Sequence, residues 1–380
     1  MSGKGFLPIF RQMADFLFPG DPPKRRVAVL FFDHILDRFI RQDSVGGSQL
    51  RRRTFVVVAA LLFDAVLGDP PSRFHPVAWM GAWNGFFLGR APQGSDAVSL
   101  LYGAGTTAAG AALAWLGGRL LGRKLRAWPY GWLVEAAVLS LMLAWRGLMR
   151  AGGAVAQELE DGDLRAARCQ LGRHLVSRDV TRLDEGLVAA AAIESLAENT
   201  SDSVVAPLFW YGLGGLPAAL VYRFLNTADA QMGYRDPARE WLGKCAARLD
   251  DLANLIPSRL TALLIVAAAP FAGGSRGTAR RTRRLDARRT ASPNAGHPMS
   301  AAAGALGVEL EKKGQYRLGE GLRSPTVHDI RRGQKLLSAS IVLGVLTAGS
   351  ALFLGSMVRA YFASPGATRV PQAAREAENG

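Results

Sequence analysis

The segment of the chain that decides its fold and site is Glu194-Ser195-Leu196-Ala197-Glu198-Asn199-Thr200-Ser201-Asp202. Glu194, Glu198 and Asp202 are spaced four apart, so a continuous helix would place them on one face with about one turn between neighbours. Carboxylates stacked in this way repel one another, and no Lys or Arg is interleaved to offset them. An apolar run at 204–222 follows directly. An acidic row beside a membrane-length apolar run indicates a site for Mg²⁺, a phosphate-bound metal or a cationic substrate.

Apolar runs recur along the 380-residue chain and predict an integral membrane protein. They lie at 54–67, 98–118, 130–145, 204–222, 258–274 and 336–357. The runs 98–118 and 336–357 are long and uncharged enough to span a bilayer. The run 204–222 contains prolines and several glycines, which predicts a broken or re-entrant segment. The predicted fold is an all-α polytopic membrane protein with about four to five transmembrane helices and helical cytoplasmic loops.

The formal net charge is +15, and basic residues concentrate at 1–53 and 276–289. The favoured interpretation is positive-inside topology with contact to anionic headgroups, and binding of a polyanionic substrate is the alternative. Nucleic acid is not an expected partner, because no aromatic interleaving or known binding motif accompanies these arginines. If both basic regions are cytoplasmic, an even number of crossings separates them. One of the five intervening apolar runs then does not cross, and 54–67 and 204–222 are the weakest candidates.

Three regions follow from this distribution of residues. Residues 1–53 are predicted to be a basic, partly disordered N-terminal extension, and 54–357 a single membrane-embedded catalytic domain. Residues 358–380, which are small and polar in their last part, are predicted to be a disordered tail.

Four polar residues upstream of the acidic row are candidates for the site. Asp64 lies inside an apolar run, where an ionised carboxylate is costly unless it is paired or binds a cation, so a functional role is favoured. Asp69 precedes two prolines, and a structural turn is as well supported there as a function. His75 is suited to orient a phosphate or to act as an acid or base. Arg178 is suited to bidentate contact with phosphate or carboxylate, although an arginine beside an aspartate in a loop is more often a surface ion pair.

Further polar residues follow the acidic row. One group recurs at helical spacing and comprises Arg223, Asn226 and Asp229. A second group lies at the start of the run 258–274 and predicts another binding site for metal or nucleotide. It comprises Asp250, Asp251, Asn254 and Arg259. Asn294 lies in a Pro/Gly loop and either contacts a ligand or belongs to a plain turn. Asn199 and Asp202 also fit a helix end followed by the next helix's N-cap, a reading that does not explain Glu194 and Glu198.

Taken in order, five motifs resemble the adenosylcobinamide-phosphate synthase family of cobalamin biosynthesis (CobD/CbiB). They are Gly-Asp-Pro-Pro…His75-Pro-Val, Glu-Ser-Leu-Ala-Glu-Asn-Thr-Ser-Asp202, Tyr-Arg-x-x-Asn-Thr-x-Asp229, Arg-Leu-Asp-Asp-x-x-Asn254-x-Ile-Pro-x-Arg259 and Ser-Pro-Asn-Ala-Gly296. The resemblance covers about Arg53 to Met357. The leader has no counterpart in the family, and His297 stands where an aromatic residue is expected, so His297 is left out of the site.

The resemblance implies a multi-pass cell-membrane enzyme whose active site faces the cytoplasm. Such an enzyme joins aminopropanol, or its phosphate, to the propionate carboxylate of adenosylcobyric acid and gives adenosylcobinamide or its phosphate. The carboxylate must be activated, most simply as an acyl phosphate from ATP, so ATP and Mg²⁺ are the expected cofactors. The expected partners are the corrinoid, the amino alcohol or its phosphate, membrane lipid and other enzymes of the cobalamin pathway.

The resemblance also suggests roles for the candidate residues. Glu194, Glu198 and Asp202 would carry Mg²⁺ that bridges ATP phosphates, and Asp250 or Asp251 would bind a second metal or take the amine proton. Arginines would neutralise phosphate charge, and the remaining candidates would contact substrate or ATP. The two sets are Arg223 and Arg259 for the phosphates, and Asp64, Asp69, His75, Arg178, Asn199, Asn226, Asp229, Asn254 and Asn294 for the other contacts.

The competing hypothesis is a membrane transporter or a non-catalytic scaffold, in which intramembrane Asp64 and Glu135 form an ion or proton path. It predicts acids distributed through several spans and internal repeat symmetry. In this chain the acids concentrate at the ends of the apolar segments and no internal repeat is found, so the ligase is favoured.

Overall fold

The computed structural model describes residues 45–68, 71–92, 94–233 and 240–363, and within these ranges it describes side chains from 52 to 348. Asp69, residues 1–44 of the predicted leader and residues 364–380 of the predicted tail lie outside the described residues. The helices are α1 Val45–Leu67, α2 Pro76–Leu88, α3 Asp96–Arg126, α4 Gly131–Ser140, α5 Trp145–Glu160, α6 Leu164–His174, α7 Glu185–Thr200, α8 Ala206–Gly214, α9 Leu216–Met232, α10 Glu240–Ala268, α11 Arg276–Asp286, α12 Gly296–Leu306 and α13 Val327–Ala363.

The chain is mostly helical, as predicted, with one departure from an all-α fold. Strands β1 Leu310–Lys312 and β2 Tyr316–Leu318 pair antiparallel, with Leu310 opposite Leu318. Gly314, with φ +74°, lies in the turn between them. Only glycine adopts this conformation readily, so the sequence could have indicated the turn.

Three helical segments among the described residues are long and apolar enough to cross a membrane: Asp96–Arg126, Gly131–Glu160 and Glu240–Ala272. They contain the predicted run 98–118 and most of the runs 130–145 and 258–274. The run 336–357 lies within α13, whose side chains beyond 348 are not described, and 54–67 lies within α1. By length and composition these helices are suited to cross a membrane, and the total of four to five spans stays a prediction.

The apolar segment 204–222 is broken, as its prolines and glycines predict. α8 ends at Gly214, and Gly215 adopts φ +71° before α9 begins. The two helices pack against each other as a hairpin. At its open end the Tyr222 hydroxyl donates to the carbonyl of Asp202 at 3.0 Å. The hairpin thus returns the chain to the acidic row from which it started.

α7 is a buried helix surrounded by other helices. Asp184 caps it by accepting from the backbone N–H of Leu187 at 2.9 Å. Every residue from Leu187 to Ala197 is buried, and α5, α12 and α13 pack around them. The small alanine side chains let these neighbours approach closely. This burial explains why no basic residue is interleaved with the acids on α7.

A glycine sets the distance between two of the candidate membrane helices, α3 and α10. A Cβ built on Gly103 would lie 1.9 Å from the carbonyl oxygen of Leu242, whereas one on Gly105 would meet nothing within 4 Å. We therefore expect Gly103→Ala to destabilise the detergent-solubilised protein by about 1–3 kcal/mol. Gly105→Ala, on the same helix, should leave stability unchanged or raise it, and equal melting temperatures for the two variants would contradict this packing.

Candidate functional site

The acidic row divides between two environments. α7 continues through one π-helical turn, Ser201–Val205, into α8, and such turns are frequent at functional sites. Glu198 and Asp202 line a cavity, together with Asn199. Glu194 lies one turn earlier, is only 5 % exposed, and receives the Arg178 guanidinium at 3.3 Å. Arg178 thus forms an ion pair, but with a buried partner in place of the surface pair considered from the sequence.

Residues 222–229 of α9 form the second motif, which lies beside the acidic row. The Arg223 guanidinium donates to the Ser203 hydroxyl and to the Asn226 side-chain oxygen, both at 3.3 Å. One helical turn further on, Asp229 lines the same cavity as Glu198 and Asp202. The hairpin at Gly215 makes this meeting possible, because it sets residues some twenty positions apart in sequence side by side.

α10 contributes the third motif, centred on Asp250. The Asn226 amide donates to one of its oxygens at 3.3 Å and the Asn254 amide donates to the other at 3.1 Å. The Tyr222 hydroxyl, which contacts Asp202 backbone, is also 2.9 Å from the Asn254 side-chain oxygen. Asp250 is 8 % exposed, and the two amides fix its orientation. Tyr222 links all three motifs.

The loop before α12 forms another wall of the cavity. Asn294 donates to the carbonyl of Asp251 at 2.7 Å, and its side-chain oxygen accepts from the Arg259 guanidinium at 3.1 Å and lies 3.3 Å from the Ser258 hydroxyl. Asn294 is buried and its loop is organised by Ser292, whose hydroxyl accepts from the Asn294 backbone N–H at 3.2 Å. This loop is more than a plain turn, since it ties α10 to α12.

These walls enclose one polar cavity of about 820 Å³, within the usual range of small-molecule sites. Its carboxylates come from three motifs that are separate in sequence. The titratable and amide lining residues are Arg173, His174, Glu198, Asn199, Asp202, Asn226, Asp229, Asp250, Asp251, Asn254 and Asn294. The structure thus brings these motifs to one cavity, and their role as a functional site stays a prediction.

Two predicted site residues in the first half of the chain lie elsewhere. Asp64 accepts from the backbone N–H of Arg146 at 2.9 Å, which accounts for its burial in an apolar run. The Nδ1 of His75 accepts from the backbone N–H of Val77 at 3.3 Å and caps α2. Neither is among the described residues that line the cavity. Their roles in substrate binding stay predictions.

Three residues near the site were missed or left unassigned by sequence reasoning. His174, at the end of α6, lines the cavity. Lys312 and Tyr316, on β1 and β2, stand close enough to Glu194 to lower its pKa against the effect of burial. His174 is adjacent to Arg173 in a polar cluster and could have been included. Lys312 carries no local signal, because only the tertiary fold brings the strand pair to α7.

Burial and mutual repulsion dominate the electrostatics of the acidic row. Burial raises the pKa of Glu198, and Asp229 adds to the rise while Lys312 opposes it. Burial also raises the pKa of Asp202, with Asp250 and Glu198 contributing repulsion. Among the described residues, no three Asp, Glu, His or Cys side chains converge as a ready-made metal cage. Mg²⁺ usually takes one or two carboxylates plus phosphate oxygens and water, so this donor set fits a nucleotide-bound ion.

The pH dependence of folding stability tests the environment of Glu194. Burial raises its pKa to about 7, against the opposing effects of Arg178 and Lys312. A folded-state pKa above the unfolded value means that the native state holds the proton more tightly. The contribution of Glu194 to stability therefore falls as pH rises from about 4.5 to about 7, with a total cost of up to about 3 kcal/mol.

We therefore expect Glu194→Gln to raise the melting temperature at pH 8 and to leave it nearly unchanged at pH 5, measured in detergent without ligands. Glu185→Gln, on the exposed first turn of the same helix, serves as control and should change neither value. A Glu194→Gln variant less stable than the wild type at pH 8 would show that its ion pair with Arg178 outweighs the cost of burial.

The comparisons with known proteins agree on one family. A family model described as CobD/Cbib protein matches residues 57–343. The chain is 39% identical over 307 residues to the probable cobalamin biosynthesis protein CobD of Methanothermobacter thermautotrophicus, covering 79% of this chain and 98% of the relative. It is 38% identical over 314 residues to cobalamin biosynthesis protein CobD of Dehalococcoides mccartyi, covering 81% and 97%. The protein of that name from Mycobacterium tuberculosis H37Rv is 39% identical over 325 residues, covering 82% and 98%. No solved structure matches the chain.

Proposed function

Since this chain belongs to the CobD/CbiB family and acts in cobalamin biosynthesis on a corrinoid substrate, we propose that it is an ATP-dependent acid–amine ligase. The proposed reaction joins aminopropanol, or its phosphate, to the propionate carboxylate of adenosylcobyric acid through an amide bond. The observation that carries the proposal is the cavity in which carboxylates of three separate motifs meet beside arginines.

The chemistry of the reaction requires activation of the corrinoid carboxylate. In the proposed sequence a carboxylate oxygen attacks the γ-phosphorus of ATP, an O–P bond forms and ADP leaves. The neutral amine then attacks the acyl carbon, the C–N bond forms and inorganic phosphate leaves. One amine proton must be accepted, and Asp250 is the proposed acceptor because two amides hold its oxygens in place within the cavity. Asp251, one residue on, is the second candidate.

The carboxylates of the row are proposed to hold Mg²⁺ together with the phosphates of ATP. Glu198 and Asp202 line the cavity and are the proposed direct ligands. Glu194 lies one turn earlier, outside the cavity lining, and pairs with Arg178. When bound, Mg²⁺ neutralises phosphate charge and orients the transferred group. Without a bound cation these carboxylates repel each other. A bound cation would therefore lower the electrostatic free energy of the folded protein.

Arginines at the cavity margin are proposed to bind the anionic parts of the substrates. Arg173 lines the cavity directly. Arg223 and Arg259 contact the site through Asn226 and Asn294, which places their charges behind the polar walls. Preorganised cations of this kind stabilise charge that develops on a transferring phosphoryl group. The need for ATP supports a cavity that faces the cytoplasm, beside the basic helix α11 that packs on α12.

The transporter hypothesis finds less support. Glu135 pairs with Arg52 at 2.8 Å and accepts from the Tyr211 hydroxyl at 2.9 Å. Asp64 accepts from a backbone N–H of α5. Both acids of the hypothetical ion path are thus engaged in structural contacts, away from the cavity.

The proposal is tested by incubating detergent-purified protein with adenosylcobyric acid, ATP, Mg²⁺ and each amine in turn, and following the corrinoids by mass. The expected result is a product whose mass equals corrinoid plus amine minus water, formed only when ATP is present. Turnover in detergent also excludes a requirement for a sealed vesicle. Intact, folded protein that forms no such product with any of the amines would overturn the proposal.

A further inference from the structure

A second cavity lies between α1, α5 and α13, shares no lining residue with the first, and has no part in the proposed ligase reaction. Its volume is about 690 Å³. Its walls include aliphatic residues of α1 and α13, and part of one wall is the candidate membrane span Gly131–Glu160. We call it the α1–α5–α13 groove.

The polar side chains on the floor of the groove are used within the protein. The Trp145 indole donates to the Ser338 hydroxyl at 3.2 Å. The Gln334 amide donates to the carbonyl of Met149 at 2.6 Å. These groups offer little to a polar ligand, so the groove is suited to hydrocarbon.

One end of the groove is purely apolar and open. Val58 and Leu62 of α1 face Val342, Val345 and Leu346 of α13 there. Val342 and Leu346 are 46 % and 61 % exposed, which is a large apolar exposure for a chain in water but an ordinary one beside acyl chains.

The other end of the groove is basic. Arg146 reaches the carbonyl of Val66 at the end of α1, and Arg331 is held by Glu160 at 2.9 Å. Arg150, between them on α5, is exposed and has no hydrogen-bond or ion-pair partner among the described residues. An apolar channel that ends at an uncompensated guanidinium matches a molecule with hydrocarbon tails and a negative head.

We propose that the α1–α5–α13 groove is a binding site for one anionic phospholipid, with its phosphate at Arg150 and its acyl chains between α1 and α13. Charge complementarity distinguishes this occupant from a zwitterionic lipid, because a basic residue near the membrane attracts a net negative headgroup more strongly than a headgroup whose phosphate is balanced by its own cation. The site is separate from the catalytic cavity, so it does not depend on the proposed reaction.

The test is native mass spectrometry of the full-length, detergent-purified chain titrated with phosphatidylglycerol or phosphatidylcholine of identical acyl chains. The wild type should bind one phosphatidylglycerol at least about five-fold more tightly than phosphatidylcholine. Arg150→Gln should abolish that preference. Arg165→Gln, which removes an exposed arginine on α6 outside the groove, should retain it.

A third variant tests the apolar half of the site. Val342→Trp fills the open end, so it should weaken both lipids by a similar factor while the preference for phosphatidylglycerol remains. Equal binding of the two lipids by the wild type, or an unchanged preference in Arg150→Gln with an unchanged melting temperature, would overturn the proposal. Lipid binding that appears only after removal of residues 1–44 would also overturn it, in favour of the leader as the occupant.

Discussion

Replacing Asp250 with Asn is expected to lower the rate of amide formation by about 100-fold or more, the usual loss when a positioned general base is removed. The substitution keeps the size and shape of the side chain, removes the negative charge and replaces one acceptor oxygen with an NH2 group. Asn226 and Asn254 each donate to a different oxygen of Asp250, so the variant loses one of these two hydrogen bonds and keeps the other. Turnover is measured by corrinoid product mass at saturating ATP and Mg²⁺.

The same substitution should not destabilise the protein by a comparable amount. Asp250 stands among like charges, since Asp229 and Asp251 line the same cavity, so the repulsion relieved by removing its charge offsets the hydrogen bond that is lost. A melting temperature equal to or above that of the wild type, combined with lost turnover, separates a catalytic role from a structural one. Glu240→Gln, an exposed acid on the same helix, is the matched control and should retain activity. Near wild-type turnover in folded Asp250→Asn would exclude Asp250 as the proton acceptor.

The second large effect is expected for Glu198→Gln, and it should depend on Mg²⁺. If Glu198 ligates the ion, the Mg²⁺ concentration for half-maximal turnover rises by about 10-fold or more, and part of the rate returns at high Mg²⁺. Glu185→Gln on the same helix controls for changes in α7. The measurement is a Mg²⁺ titration of product formation at fixed ATP. Unchanged half-saturation in Glu198→Gln would place Mg²⁺ on other residues.

Much of the site could be predicted from the sequence because its motifs are local. The spacing of Glu194, Glu198 and Asp202 depends only on a continuous helix, and α7 runs without a break into the π-helical turn. The Pro and Gly content of 204–222 likewise predicts a break, which falls at Gly215. Features of this kind are fixed by backbone geometry within one or two turns.

Other features depend on tertiary packing, which a single sequence does not reveal. Glu194 has the same spacing as its neighbours, yet it faces Arg178 and the β1–β2 hairpin while Glu198 faces the cavity. Asp64 appears costly in an apolar run until the backbone N–H of Arg146 supplies its partner. Lys312 comes close to the row only through the pairing of two short strands. Membrane crossings are the hardest to predict, since one apolar run such as 204–222 can fold into two helices, α8 and α9, that are each shorter than the candidate spans.

The most direct measurement follows oxygen from the substrate carboxylate. Adenosylcobyric acid labelled with ¹⁸O in its free propionate is incubated with purified protein, ATP, Mg²⁺ and the amine. An ATP-dependent ligation through an acyl phosphate predicts one amide, one ADP and one inorganic phosphate per turnover, with one ¹⁸O atom in the phosphate. Amide formation without ATP, or with the ¹⁸O absent from the inorganic phosphate, would contradict the proposed ligation.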